Sequence, residues 1–399
     1  MSAASGRPSN KDRMPKRMVK KTRDFLRGIF KGKEERYLVV EERDGEYAMT
    51  RATLDGEHKR IAIIERRSVA NLKDIRRLWR GPTRLIFALS GRKAATVEGL
   101  VAVERSGAGA EISETELEEL VSKGLWEFLN RYRPWALKKL GVADIDLAMS
   151  DIQVREVLLD GRKIFNPAGF DGRTLSFRLR ATFVARSIVP LIARFRSWGP
   201  ISVVESGSVL AAVSDDGEWL VLPEGGTTLI YRRRKEESAL FKEIPWDAGA
   251  VSRDLRADLF LDEEALTALV ERYEAGLISE RIRRLIDASL HRSLESLAGA
   301  VQDAIARSGA KRPLVRYHLD WPFRPQAAWK GRLHGELLRL DEDIERENFF
   351  LEVGKKAAGF SAWRDQSIIA LLLYSYESPK YGYLNRVLRR RVPWLIPNL

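Results

Sequence analysis

Gly225, Gly226, Thr227 and Thr228 form a small, hydroxyl-rich run between two apolar stretches, Trp219 to Leu222 and Leu229 to Tyr231. These residue types predict strand, tight turn, strand. Glycines let backbone N–H groups converge on one point, and converging amides beside hydroxyls hold anions, phosphate above all. An ordinary hairpin turn carries the same letters, so the run alone defines no site. Other chemistry is sparse. The absence of cysteine removes disulfides, thiolate metal sites and a cysteine nucleophile. The four histidines, His58, His291, His318 and His334, lack ligand spacing, so no metal site is expected. No general base stands beside a complete phosphate cradle, so no catalytic residue is assigned.

The elements that would position the run follow from pattern. At 399 residues the chain exceeds one ordinary core, and 44% hydrophobic content supports two or more folded lobes. Tyr37 to Val40, Tyr47 to Met49 and Ile61 to Ile64 are strand-like, with Asp44-Gly45 and Asp55-Gly56 as turns between them. Arg84 to Leu89 reads as a buried strand ending at Ser90-Gly91. Ser113 is a helix cap, with Glu116 three residues on. Leu175 to Val184 alternates: Leu175, Phe177, Leu179 and Phe183 face inward, while Ser176, Arg178, Arg180 and Thr182 face outward on a half-exposed antiparallel strand. Helix alternates with loop from Ser252 to Ser308, Leu314 to Leu319 is a late strand, and Ser367 to Tyr374 is an apolar helix.

Charge is concentrated at the ends. Residues 1–33 carry eleven Lys/Arg and two Asp, and residues 380–399 carry five Lys/Arg and no acid, so of the net +13 the middle holds about −1. A nucleic-acid-binding domain spreads basic charge over a folded face, so no nucleic-acid partner is expected. Two basic ends on a neutral body suit an anionic surface. Met18 to Phe30 has an amphipathic pattern. In the tail, Leu384, Val387 and Leu388 share one helical face, which Val392 and Leu395 extend if the helix continues through Pro393. Arg386, Arg389, Arg390 and Arg391 flank it, and Trp394 suits a headgroup layer. This reads as a membrane-surface helix, the alternative being a tail folded back on the body. No run is long enough to span a membrane.

Several segments, in order, resemble FtsA, the actin-like bacterial cell-division protein. They are Ala88-Leu89-Ser90-Gly91, the ISETELEELV helix from Ile112, Asp160 to Leu175 (DGRKIFNPAGFDGRTL) with its alternating strand, the hairpin at Gly225-Gly226, Ile244 to Gly249 (IPWDAG), and the late apolar helix with its basic amphipathic end. The resemblance implies an α/β, two-lobed actin-like (ribonuclease-H-like) fold with an FtsA-type inserted α+β subdomain. It implies a basic, partly disordered extension over 1–35 and a first lobe from 36–110, 200–215 and 352–376. The inserted subdomain takes 111–199, the second lobe 216–251 and 305–351, a helical subdomain 252–304, and the tail 377–399.

The resemblance further implies ATP and Mg²⁺ between the lobes, with Gly225, Gly226, Thr227 and Thr228 as the cradle. It implies self-assembly, a cytoplasmic place on the inner face of the membrane, and an FtsZ tail peptide docked on 252–304, where Arg272, Arg281 and Arg284 offer complementary charge. The type IV pilus scaffold PilM shares this core and insertion and is the alternative. The nucleotide residues depart from the family. Val39-Val40 is followed by Glu41-Glu42-Arg43-Asp44-Gly45 rather than Gly and hydroxyls, Pro223 stands where the family has Asp, and Asp320-Trp321-Pro322-Phe323 replaces a Gly-Gly loop. Magnesium is commonly held through one or two carboxylates plus phosphate, so these changes predict a degenerate site, weak ATP binding and negligible hydrolysis.

Overall fold

The computed structural model describes residues 34–391, apart from 44–45, 71–73, 76–83, 108, 200, 215–216, 225, 235–236, 248, 311–312, 320–322, 324–328, 347–348, 358–359, 362–364 and 377–380. The amphipathic stretch at Met18 to Phe30, Gly225, Trp394 and Leu395 therefore lie outside the described residues.

Strands β1 (Glu35–Arg43), β2 (Glu46–Asp55), β3 (Arg60–Val69) and β4 (Arg84–Leu89) come first, then β5 (Ala94–Glu104) and the long helix α1 (Glu114–Leu140). Next are β6 (Leu147–Leu159), β7 (Arg162–Lys163), β8 (Thr174–Ala185), the short α2 (Val189–Ala193), β9 (Ile201–Glu205) and α3 (Ser206–Val213). The second half holds β10 (Glu218–Glu224), β11 (Thr227–Arg234), β12 (Glu237–Ile244), α4 (Gly249–Leu259), α5 (Glu263–Glu274) and α6 (Glu280–Ala306). It closes with β13 (Leu314–Tyr317), α7 (Trp329–Leu333), β14 (Glu336–Leu337), α8 (Leu340–Arg346), β15 (Phe350–Lys356), α9 (Gln366–Tyr376) and α10 (Gly382–Arg391).

Two sheets repeat one topology. The first runs β15-β3-β2-β1-β4-β9, and β12-β11-β10-β13-β14 in the second repeats its β3-β2-β1-β4-β9 core. In each, two antiparallel hairpins are followed by two parallel strands. A three-two-one-four-five order, present twice in one chain, is the actin-like, ribonuclease-H-type architecture, and the fold is the two-lobed one expected. Both faces of the first sheet are covered: Tyr37 and Val39 pack on one side with α3 and α9, Leu38 and Val40 on the other. Leu220, Leu222, Leu229 and Tyr231 of the second lobe join the core formed by Val209, Leu210, Ile369 and Leu372, so apolar burial joins the lobes.

The inserted unit is strand–helix–strand–strand, in the order β5-β8-β6. Its α1 starts where Ser113 accepts the Glu116 amide at 3.1 Å, and it stops at Gly141, whose φ of 63° is left-handed. The unit starts earlier than the sequence boundary at residue 111. β5 pairs along its length with β8, so the stretch from Ala94 belongs to the insertion rather than to the first lobe. A single bridge, Ser238 to Glu98, joins β12 to β5 and makes nine strands one continuous sheet.

A second correction concerns β8. Its apolar alternate residues pack under α1 as expected. The other face is not solvent: Ser176, Arg180 and Thr182 are 8%, 3% and 2% exposed, because that face meets the two lobes.

A third concerns the tail. Leu384, Val387 and Leu388 are buried in the core of the inserted unit with Tyr381, so α10 folds back on the body instead of offering this face outward. Asn385 Oδ1 accepts the Val154 amide at 2.7 Å, and the Tyr381 hydroxyl donates to the Ile164 carbonyl at 3.3 Å.

Candidate functional site: the junction between the lobes

The Gly-rich hairpin joins β10 and β11, with Pro223 opposite Thr228 and Glu224 opposite Thr227. Glu224, at the end of β10, reaches Gly91 of the first lobe. The hairpin's groups are engaged elsewhere. Thr228 is fully buried and its hydroxyl donates to the Trp246 carbonyl at 3.0 Å. The Thr227 hydroxyl turns back to the Glu224 carbonyl at 3.3 Å. Gly226 is exposed, and a Cβ there would meet nothing within 4 Å, so no close approach of backbone to another group calls for its glycine.

The anion at this junction is a protein carboxylate. Glu224 takes the Gly91 N–H at 2.9 Å through Oε1 and at 3.2 Å through Oε2. This turn amide of the first lobe is thus held by a side chain of the second. Burial, followed by the charge of Glu205, pushes the Glu224 carboxyl up to about 7, while the Gly91 amide opposes the shift.

Glu205, with no exposed surface, is the hub. It ends β9 at the start of α3. Its Oε1 accepts the Tyr231 hydroxyl from the second lobe and pairs with Lys139 from the last turn of α1. Its Oε2 accepts the Thr96 amide and the Ser208 hydroxyl, both at 2.8 Å, and its own amide donates to Thr96 Oγ1 at 3.0 Å. Thr96 continues to Thr182 at 2.9 Å. One carboxylate thus ties together the first lobe, the second lobe and the insertion. Burial, then the charge of Glu205, holds the Tyr231 phenol far above its ordinary range, so it stays a donor.

The first hairpin is engaged as well. Glu41 is buried and accepts from Ser367, with Arg66 at 4.0 Å, and Glu42 pairs with Lys93. Phe323 is buried in the second-lobe core against Tyr273. The junction therefore presents Glu42, Glu205 and Glu224, with amides and lysines already committed to them. Carboxylates in this position repel phosphate, and among the described residues no group of three or more acidic or histidine side chains is placed to hold a metal ion.

The other sequence-derived residues are elsewhere. Arg272, at the end of α5, and Arg281 and Arg284, on the first turns of α6, are all exposed. Arg284 forms a surface pair with Glu280. Leu277 and Leu285 stand exposed beside them at the same corner, 74% and 47%. On α10, Arg386 and Arg390 are exposed opposite the buried apolar face. Arg389 and Arg391 lie on the same helix, and their side chains fall outside the described residues.

Glu205 and Lys139 were not legible in the sequence as a pair. The only local signal is a charged residue closing an apolar strand, ISVVE, before a small-residue helix.

Duplicated lobes with an insertion after the fourth strand define an actin-like fold. No protein-family model matches the chain, and no curated protein matches it by sequence. Solved structures are similar to it. A PilM–PilN type IV pilus biogenesis complex is 14% identical over 89% of this chain and 98% of its own, with a TM-score of 0.45. The cytoplasmic domain of EpsL, an inner-membrane component of the Vibrio cholerae type II secretion system, is 15% identical over 57% and 78%, with a TM-score of 0.29. A Bacteroides thetaiotaomicron protein with an actin-like ATPase fold is 7% identical over 85% and 96%, with a TM-score of 0.34.

Proposed function

We propose that this protein is an actin-fold scaffold that acts by binding partners rather than by turning over nucleotide. The observation that carries the reading is the Glu224 carboxylate, beside the Gly-rich hairpin, seated on the Gly91 amide at 2.9 Å. Calorimetry with Mg-ATP tests it: weak or absent heat is expected. Micromolar or tighter affinity, about −8 kcal/mol or stronger, abolished by Gly226→Trp, would overturn it.

In finer terms the scaffold belongs to an envelope assembly of the pilus type, as PilM does, or to division, as FtsA does. The docked α10 favours the first, because an apolar face already covered is withdrawn from lipid. Its outward Arg386 and Arg390 still suit a peripheral, salt-sensitive contact with the anionic inner face of the membrane. The division reading rests on the corner of Arg272, Arg281, Arg284, Leu277 and Leu285, whose mixture of positive charge and apolar surface suits an acidic, apolar peptide such as an FtsZ tail. A pull-down with that peptide separates the two readings. Capture that is lost on reversing the three arginine charges supports the division adaptor; no capture, or equal capture by the reversed variant, removes it. Self-assembly is checked on the same samples by sedimentation.

A further inference from the structure

The polar face of the inserted sheet carries a buried side chain that makes no hydrogen bond among the described residues. Arg180, on β8, is 3% exposed, yet Nε, Nη1 and Nη2 make no hydrogen bond. Its nearest carboxylate, Glu98 on the paired strand β5, is 3.9 Å away, too far for an N–H···O bond. Arg233 of the second lobe stands at the same 3.9 Å from the other oxygen of Glu98, and its Nη1 is also without a hydrogen bond. The Cζ atom of Arg180 lies over the ring of Tyr374 on α9, 3.9 Å from its centre, and that of Arg155 lies 4.7 Å from the same centre. Stacking covers the face of a guanidinium and leaves its in-plane N–H fork for an acceptor.

We propose that Arg180, with Arg233 and Arg155 beside it, binds a phosphate-type oxyanion at the seam where the inserted sheet meets both lobes. A planar fork matches two oxygens of a tetrahedral anion, and a desolvated arginine without an acceptor is costly enough that a built site is the economical explanation. The partial exposure of Arg233, 23% for its side chain, marks the open side. A bound anion there touches β5, β8, β11 and α9, and so clamps all three units.

The test is a titration of the full chain with inorganic phosphate and, separately, glycerol phosphate, at constant ionic strength with chloride as the control, read by thermal melting and calorimetry. Wild type is expected to show a saturable rise in Tm with at least one of the two, and the tighter one identifies the free ion or the ester as the form recognised. Arg180→Lys keeps the charge but loses the fork, and its affinity is expected to fall by about 10-fold or more. Arg180→Met should abolish the response while melting no lower than wild type without phosphate, because it removes an unsatisfied buried charge. No saturable shift in wild type, or an equal shift in the Lys and Met variants, overturns the proposal.

Discussion

Glu224 of the second lobe accepts the backbone N–H of Gly91 of the first at 2.9 Å. A hydrogen bond between hairpin tip and strand end closes the junction with the protein's own anion. A mobile phosphate would have to displace a tethered carboxylate that loses little freedom on binding. The same carboxylate sits near Glu205, and their repulsion makes the lock sensitive to protonation.

Glu224 titrates at about 7 in the folded protein, raised by burial and then by Glu205, against 4.5 for an ordinary glutamate. A raised carboxyl contributes stability that is fully present below the unfolded value and lost as pH rises through the folded one. Wild type should therefore weaken from about pH 5 to about pH 8 relative to Glu224→Gln. The difference is at most about 3 kcal/mol. Guanidinium unfolding at the two pH values checks it, and a pH-independent difference would show that the carboxyl does not titrate there.

Lys139 neutralises a fully buried Glu205. Lys139→Met should cost about 3–5 kcal/mol, since breaking a buried pair strands a charge. The double variant Lys139→Met with Glu205→Gln should recover part of that loss. A double-mutant cycle on denaturation midpoints reads the coupling; simple additivity would mean the two groups do not interact in solution.

Gly207 on α3 leaves no room for a side chain. A Cβ would stand 2.4 Å from the Tyr231 hydroxyl oxygen and 2.5 Å from its ring. Gly207→Ala should destabilise by about 1–3 kcal/mol through overpacking, despite alanine's better helix propensity. Thermal melting is sufficient to measure this, and an unchanged or raised Tm would contradict the close approach of α3 and β11.

Leu388 has no exposed surface and belongs to the inserted unit's core. Leu388→Ala should cost about 2–5 kcal/mol, and deleting residues 381–399 should lower Tm and increase binding of a hydrophobic dye. A cost below about 0.5 kcal/mol, typical of surface changes, would show that α10 is undocked in solution. Co-sedimentation with anionic vesicles then tells whether Arg386 and Arg390 give salt-sensitive binding with the helix in place.

The elements were more legible than their surroundings. Ser113 and Glu116 announced α1, and the alternation of Leu175, Phe177, Leu179 and Phe183 announced β8, because capping and two-residue periodicity are local. Periodicity separates two faces but does not say what lies against either. Arg180 and Thr182 therefore read as solvent-facing while the lobes cover them. Leu384, Val387 and Leu388 failed for the same reason: an amphipathic helix looks alike whether lipid or protein covers its stripe. Glu205 draws partners from four other elements, Thr96, Lys139, Ser208 and Tyr231, as close in sequence as three residues and as far as 109. No spacing rule reaches across such a span.

The rung between Ser238 and Glu98 sets how force would travel. A pull on the inserted unit passes into the second lobe along a continuous sheet, across a seam one residue pair wide. That seam is the weakest section of an otherwise stiff nine-strand beam. Across that seam the load is shared with side chains, since Arg233 and Glu98, and Tyr231 and Glu205, also link the second lobe to the strands beside it.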